Sequence, residues 1–268
     1  MSQISLQGRL VLVGAGKMGS AMLQGWLQNG LSPQQTVVFD PAAQDLPQGL
    51  SLNPNPSDVQ DAEVIIIAVK PQVMEEVLPS IIGLKKSKPL IISVAAGKTI
   101  ASFADHFGPD AAIIRTMPNT PAAVGRGITA MVANENVSPA QKNLATALLS
   151  AIGEVVSIDD EALIDAVTAV SGSGPAYIFY LTECMASAGE KLGLAPELAM
   201  QLARATVAGA GELMRQSGIP AATLRENVTS PKGTTYAALQ VLMAENGLQP
   251  IFDKALKAAA DRSRELAS

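Results

Sequence analysis

The sequence predicts an α/β parallel sheet in its first half and a purely helical second half. Three observations carry that prediction. Short β-rich runs alternate with helical stretches up to about residue 158, the order that builds a parallel sheet through right-handed crossovers. Several of these runs are continuously apolar, as strands covered on both faces are. After Asp159 the β-branched runs stop and Ala, Leu, Met and Glu dominate.

The expected strands are Arg9–Val13, Thr36–Phe39, Val64–Val69, Leu90–Val94, Ala112–Arg115, Ile128–Ala133 and Glu154–Ile158. Between the first two lies a helix with Met18, Met22, Gly25/Trp26 and Asn29 along one face, stopped by Asn29-Gly30. Pro139–Ile152 reads as a further helix. In the second half the helices fall near Glu161–Val170, Pro175–Leu192, Pro196–Gln216, Thr234–Glu245 and Pro250–Leu266. Gly193 then Pro196, Gly218 then Pro220, and Asn246-Gly247 then Pro250 punctuate them. The expected domains are therefore residues 1–158 and 159–268.

The chain's 268 residues are 48% hydrophobic and 16% charged, a composition that supports a packed core. Its mean hydropathy of +0.25 exceeds what a soluble surface needs. The longest purely apolar run, Val64–Val69, is far shorter than the roughly 18 residues of a membrane span. The surplus therefore points to burial between subunits. No signal peptide is read at MSQISLQGRL, and a cytoplasmic location is expected. A net charge of −5 without a Lys/Arg cluster argues against nucleic acid as a partner. One cysteine, Cys184, excludes internal disulfides and cysteine-rich metal sites, and no metal is expected. Cys184 lies mid-helix and reads as core. The single histidine, His106, reads as a surface or capping residue at a helix end, which removes Ser-His-Asp chemistry unless it serves there.

Gly14-Ala15-Gly16-Lys17-Met18-Gly19 follows a strand and opens a helix. In that setting Gly14 permits the tight turn, Gly16 admits a pyrophosphate, and Gly19 lets helix pack on strand. The N–H groups of the helix start then face the phosphates. Asp40 closes the second strand, 21 positions after Gly19, where an acidic residue usually bonds a ribose 2′-hydroxyl. The alternative is that it only caps the turn before Pro41. As a ribose partner it favours NADH over NADPH. Ala68-Val69-Lys70-Pro71 ends the third strand, at the sheet edge where ligands collect. Val94-Ala95-Ala96, in the small-residue stretch SVAAG, either leaves room for a nicotinamide ring or packs tightly on a helix. Ser230-Pro231-Lys232-Gly233-Thr234-Thr235 precedes a helix. It reads either as an anion-binding loop or as an N-cap with Pro in the first turn.

Together GAGKMG, AVKPQ, SVAAG, RTMPNTPA, AVTAVSGSGPAY and NVTSPKGTT resemble the pyrroline-5-carboxylate reductase family, in its order and at about its spacing. The resemblance covers most of the chain. It implies an N-terminal Rossmann-type dinucleotide-binding domain followed by an all-α dimerisation domain, with dimers that assemble further. It implies a cofactor held by Gly14 to Gly19, Asn55, Ala68 to Pro71 and Val94 to Ala96, with Asn227 approaching from the helical half. The substrate, 1-pyrroline-5-carboxylate, would meet Ser230, Gly233 and Thr234, with the Thr235 hydroxyl near its ring nitrogen and Glu161 close by. Lys232 stands where some members carry Gly. Members commonly favour NADPH, whereas Asp40 argues for NADH, so both cofactors stay open. Two rival readings remain: a β-hydroxyacid dehydrogenase-like enzyme, for which Lys191 is the nearest candidate acid–base, and a dinucleotide-sensing scaffold without turnover.

Overall fold

The computed structural model describes residues 4–43 and 46–267. Strands β1 (Arg9–Val13), β2 (Thr36–Phe39), β3 (Ser51–Leu52), β4 (Ala62–Ile67), β5 (Leu90–Ser93), β6 (Ile113–Met117), β7 (Gly127–Ala133) and β8 (Gly153–Ser157) form one sheet in the order β3-β2-β1-β4-β5-β6-β7-β8. The helices are α1 (Lys17–Gln28), α2 (Met74–Ile81), α3 (Ile100–Phe107), α4 (Pro139–Ser150), α5 (Ile164–Val167), α6 (Gly174–Lys191), α7 (Pro196–Ser217), α8 (Ala221–Asn227), α9 (Thr234–Leu242) and α10 (Leu248–Ala267).

The expectation of a wholly parallel sheet is corrected at one joint. β7 runs antiparallel to β6, because only the short 3-10 turn Thr120–Val124 links them and it turns the chain straight back. Helix α4 then carries the chain over to β8, which lies parallel to β7. The first six strands are mutually parallel. Their apolar runs serve two cores by alternation. Leu10, Leu12, Val64 and Ile66 pack on one face with Met22, Trp26 and Leu148. Val11, Val13, Ile65 and Ile67 pack on the other with Met74, Leu78 and Phe103. Trp26 is fully buried and donates Nε1–H to the Leu148 carbonyl at 2.9 Å. That bond fastens α1 to α4 and satisfies the indole's polar atom, worth about 1 kcal/mol.

The chain forms two compact units. One runs to Gly172 and takes in the final stretch from Ala259, while the other is Ser173–Ala258. The expected division after residue 158 falls earlier than this one. Residues 161–172 belong with the sheet because Ile164 is buried against Met117 and Val132. They form a 3-10 turn, α5 and a π-helical turn over Thr168–Gly172, not the single expected helix. At the chain's end the Ser263 hydroxyl donates to Asp165 at 2.6 Å.

The helical unit buries almost nothing of its own. Ala186, Ala199 and Ala203 are its buried cluster, and Tyr177 meets Phe252 edge to face at 6.3 Å. Large apolar side chains lie open, among them Phe179 (62% exposed), Tyr180 (67%) and Val241 (72%). Cys184, expected in the core, is exposed for the same reason: its helix carries an apolar face that a single chain does not cover. So large an exposed apolar surface marks a protein interface.

Candidate functional site

The strand order reverses beside β1: the chain builds β2 and β3 on one side and β4 onward on the other. Ligands of open α/β sheets bind in the crevice at that switch point, beyond the carboxyl ends of the strands. Gly14 stands there with φ +94°, and a Cβ on it would lie 2.8 Å from both the Ala68 carbonyl oxygen and Val69 Cγ1. Only glycine closes this turn against the end of β4. A Cβ on Gly19 would lie 2.1 Å from the Gly14 carbonyl oxygen, so helix α1 rests directly on the turn. At Gly16 the reverse holds: a Cβ would meet nothing within 4 Å. Gly16 is the N-cap of α1, and no side chain caps the helix. The first N–H groups of α1 therefore face an open space suited to phosphate oxygens. These residues fit a dinucleotide pyrophosphate. Lys17 is exposed at the first helical position.

Asp40 caps the turn before Pro41, one of the two readings, and also reaches the glycine-rich turn. Its Oδ1 accepts the Ala42 N–H at 2.8 Å, which caps the turn, and its Oδ2 accepts the Ala15 N–H of the glycine-rich turn at 2.7 Å. Asn55 caps the 3-10 turn Pro56–Asp58, its Oδ1 accepting from Ser57 N and Oγ. Lys70 is the N-cap of the turn Pro71–Val73 after β4.

The stretch after β5 is braced at several points. The Ser93 carbonyl accepts the Thr116 hydroxyl at 2.8 Å, and Ala95 N–H donates to Ser93 Oγ at 3.2 Å. A Cβ on Gly97, at φ +72°, would lie 2.8 Å from the Leu266 carbonyl oxygen. Lys98 donates to Glu75 of α2 at 3.0 Å and holds that carboxyl below its ordinary pKa. Ile100 N–H, at the start of α3, donates to Glu161 Oε1 at 2.9 Å. The same oxygen accepts from Arg115 Nη1 at 2.7 Å. An anion there satisfies an orphan helix N–H and complements the α3 dipole. Val94 is half-buried, Ala95 buried and Ala96 exposed. The small side chains thus line a fixed ledge next to β4, where a flat ring can lie.

In the helical unit, Gly233 is the N-cap of α9 and no side chain caps that helix. The reading as an N-cap with Pro in the first turn therefore does not hold, since Pro231 lies before the helix. Gly233 N–H turns back to the Ser230 carbonyl at 3.0 Å. A Cβ on Gly233 would lie 2.4 Å from Ser230 Oγ and 3.1 Å from the Ser230 carbonyl oxygen, so a larger residue there would displace the Ser230 hydroxyl. Lys232 sits at φ +58° in the left-handed region, which glycine occupies without strain and lysine does not. That explains why glycine suits this position; the lysine charge is a separate matter. The loop presents the Ser230 and Thr235 hydroxyls and the first N–H groups of α9, which suits a carboxylate. Asn227 ends α8 just before it.

A reductase of 1-pyrroline-5-carboxylate from Pseudomonas aeruginosa is 42% identical over 265 residues, covering 97% of this chain and 97% of that protein. The chain belongs to the pyrroline-5-carboxylate reductase family. A family profile described as pyrroline-5-carboxylate reductase dimerisation matches residues 161–266, and one described as NADP oxidoreductase, coenzyme F420-dependent, matches 9–97. Among solved structures, the family's Coxiella burnetii enzyme superposes with a TM-score of 0.90 at 35% identity, covering 98% of this chain and 100% of that one. The Plasmodium falciparum pyrroline carboxylate reductase, solved with NADP bound, gives 0.83 at 30% identity, covering 98% and 99%. The dimerisation match includes the whole of the unit whose apolar faces lie open.

Several residues that brace the candidate site were named in the sequence only inside a motif, or not at all. Arg115 closes an apolar strand, and a charge there signals a buried partner, but nothing local says that the partner is Glu161. Asn119 donates to the Ser171 carbonyl at 3.2 Å and accepts the Ile128 N–H at 3.0 Å. It thus ties RTMPNTPA to the start of SGSGPAY, and a Cβ on Gly172 would lie 3.0 Å from Met117 Cε. Asn53 and Lys98 left no sequence signal.

Proposed function

We propose that the chain is an NAD(P)H-dependent reductase of the ring C=N bond of 1-pyrroline-5-carboxylate, giving L-proline in the last step of proline biosynthesis. One observation carries this reading: the chain holds two complementary half-sites, each built around an uncapped helix start. In the sheet unit it is the open glycine-rich turn at the switch point. In the helical unit it is the Ser230–Gly233 turn and the start of α9. The first suits a dinucleotide and the second a small carboxylic acid. The relatives named above are reductases of this substrate.

Gly14 to Gly19 would hold the pyrophosphate, and the Val94–Ala96 ledge with Ala68 to Pro71 would hold the nicotinamide end. The reduced dinucleotide supplies a hydride. Ser230, Gly233 and Thr234 fix the substrate carboxylate through a hydroxyl and backbone N–H groups. The substrate enters as the protonated imine, already electrophilic at carbon. Thr235 Oγ1 accepts its N–H, and that proton stays on the nitrogen when the carbon is reduced, so no strong acid is needed. Positioning of this kind contributes on the order of 7–11 kcal/mol in favourable cases. Glu161 acts by bracing α3 and Arg115 beside the ledge. Two copies of the chain pair through the open apolar helices, and dimers assemble further, in the cytoplasm.

The test is Thr235→Ala in a steady-state assay with the imine. kcat/KM should fall roughly tenfold to a hundredfold, the range of a lost bond to a charged group, while NAD(P)H affinity stays within about twofold. Equal loss of both, or of neither, contradicts the role given to Thr235.

A further inference from the structure

We infer that Asp40 makes this enzyme an NADH-selective member of its family; the inference rests on the reductase reading and concerns the adenosine end of the same site. Each carboxylate oxygen is held by one backbone N–H. Oδ2 is bonded to Ala15 N–H in the glycine-rich turn and Oδ1 to Ala42 N–H. The backbone of Asp40 is clasped by one side chain: its N–H donates to Asn53 Oδ1 at 2.8 Å, and its carbonyl accepts from Asn53 Nδ2 at 2.9 Å. Asn53 is itself set by φ +45° and by its N–H bond to the Val38 carbonyl at 2.8 Å. Asp40 is thereby held at the end of β2, the strand beside β1, where the ribose hydroxyls of a bound dinucleotide fall. Each oxygen keeps a lone pair free, because a carboxylate oxygen accepts two bonds. Two ribose hydroxyls can donate to them. A 2′-phosphate, with close to two negative charges, can donate nothing and meets a like charge that the turn prevents from swinging away.

A phosphate-accepting site would answer this with a cation, and the sequence supplies none there. Between Lys17 and Lys70 the chain contains no Lys and no Arg. Lys70 follows β4, on the opposite side of β1 from β2. Lys17 opens α1 at the pyrophosphate turn. The residues directly after Asp40, Pro41 and Ala42, are uncharged and exposed.

The test compares binding with and without the 2′-phosphate, by calorimetry on the intact oligomer. The ligands are NADH against NADPH, and the redox-inert fragments 5′-ADP against 2′,5′-ADP. The wild type should bind NADH and 5′-ADP at least about tenfold more tightly than their 2′-phosphorylated partners, with a gap that widens as salt is lowered. Asp40→Asn, which removes the charge together with one of the two acceptors, should shrink the ratio to within about threefold. Ala42→Arg, which leaves Asp40 and its bonds in place, should raise NADPH affinity without weakening NADH. Tighter binding of NADPH by the wild type, or a ratio unmoved by Asp40→Asn, overturns the inference and leaves the reductase reading standing. Binding of neither nucleotide overturns both.

Discussion

Gly16→Ala should fold with wild-type stability and lose dinucleotide affinity by roughly thirtyfold to a hundredfold, whereas Gly19→Ala should lose both. The two glycines lie three positions apart on one turn, yet their surroundings are opposite. Gly16 has an ordinary extended backbone, φ −67° and ψ −167°, and its missing Cβ points into open space. A methyl there strains nothing in the free protein and occupies the volume a phosphate oxygen needs. At Gly19 the Cβ would lie 2.1 Å from a backbone carbonyl, and helix α1 must lift off the turn. Overpacking of that kind costs about 1–3 kcal/mol, and the displaced N–H groups no longer converge on the phosphates. Urea midpoints at fixed protein concentration and calorimetric titration with the dinucleotide separate the outcomes. Equal stability losses in both variants would mean that Gly16 is needed by the fold and that the space beside it is not a phosphate cradle.

Glu161→Ala should cost about 3 kcal/mol of stability, the low end for breaking a buried ion pair by removing one partner. Arg115 has a side chain only 5% exposed, whereas that of Glu161 is 30% exposed. Removing the carboxylate leaves the guanidinium buried without its anion, and Arg115 Nε already has no hydrogen-bond partner. It also frees Ile100 N–H at the start of α3. The double variant Arg115→Met/Glu161→Leu should recover most of the loss, since the uncompensated charge is gone. Denaturant midpoints at one protein concentration read the difference, because an oligomer's stability depends on concentration. A loss below about 1 kcal/mol for Glu161→Ala would show that solvent reaches Arg115 and that the pair does not hold the ledge.

Much of this fold was legible in the residues. Arg9–Val13 followed by a glycine-rich turn announced the first strand, the turn and helix α1, because each glycine answers a local steric demand. The apolar runs announced most of the sheet, since strands covered on both faces cannot alternate. What escaped was set by distant partners. The reversal of β7 depends on how Thr120–Val124 folds back, which no periodicity encodes. The two-residue β3 is too short for any pattern. Helix α2 carries Pro79 inside it, and α8 is a short segment between Pro220 and the anion loop; neither shows a long apolar face. The partner of Glu161 was not readable because Arg115 lies 46 positions away in sequence. Cys184 looked like core because an interface face and a core face share one composition. At the candidate site the backbone features were readable, in Gly14, Gly19 and the turn before α9. The fastening of Asp40 by Asn53 was not, since it depends on a left-handed asparagine beyond the turn.

In the proposed reaction a hydride passes from the nicotinamide ring directly to the imine carbon of pyrroline-5-carboxylate. Supplying dinucleotide deuterated on either face of the nicotinamide C4 and weighing the proline formed tests it in one step. One of the two labelled cofactors should place a single deuterium on the former imine carbon of every product molecule, and the other should place none. Proline formed with solvent hydrogen at that carbon from both cofactors, or no proline at all while the dinucleotide binds, would contradict it.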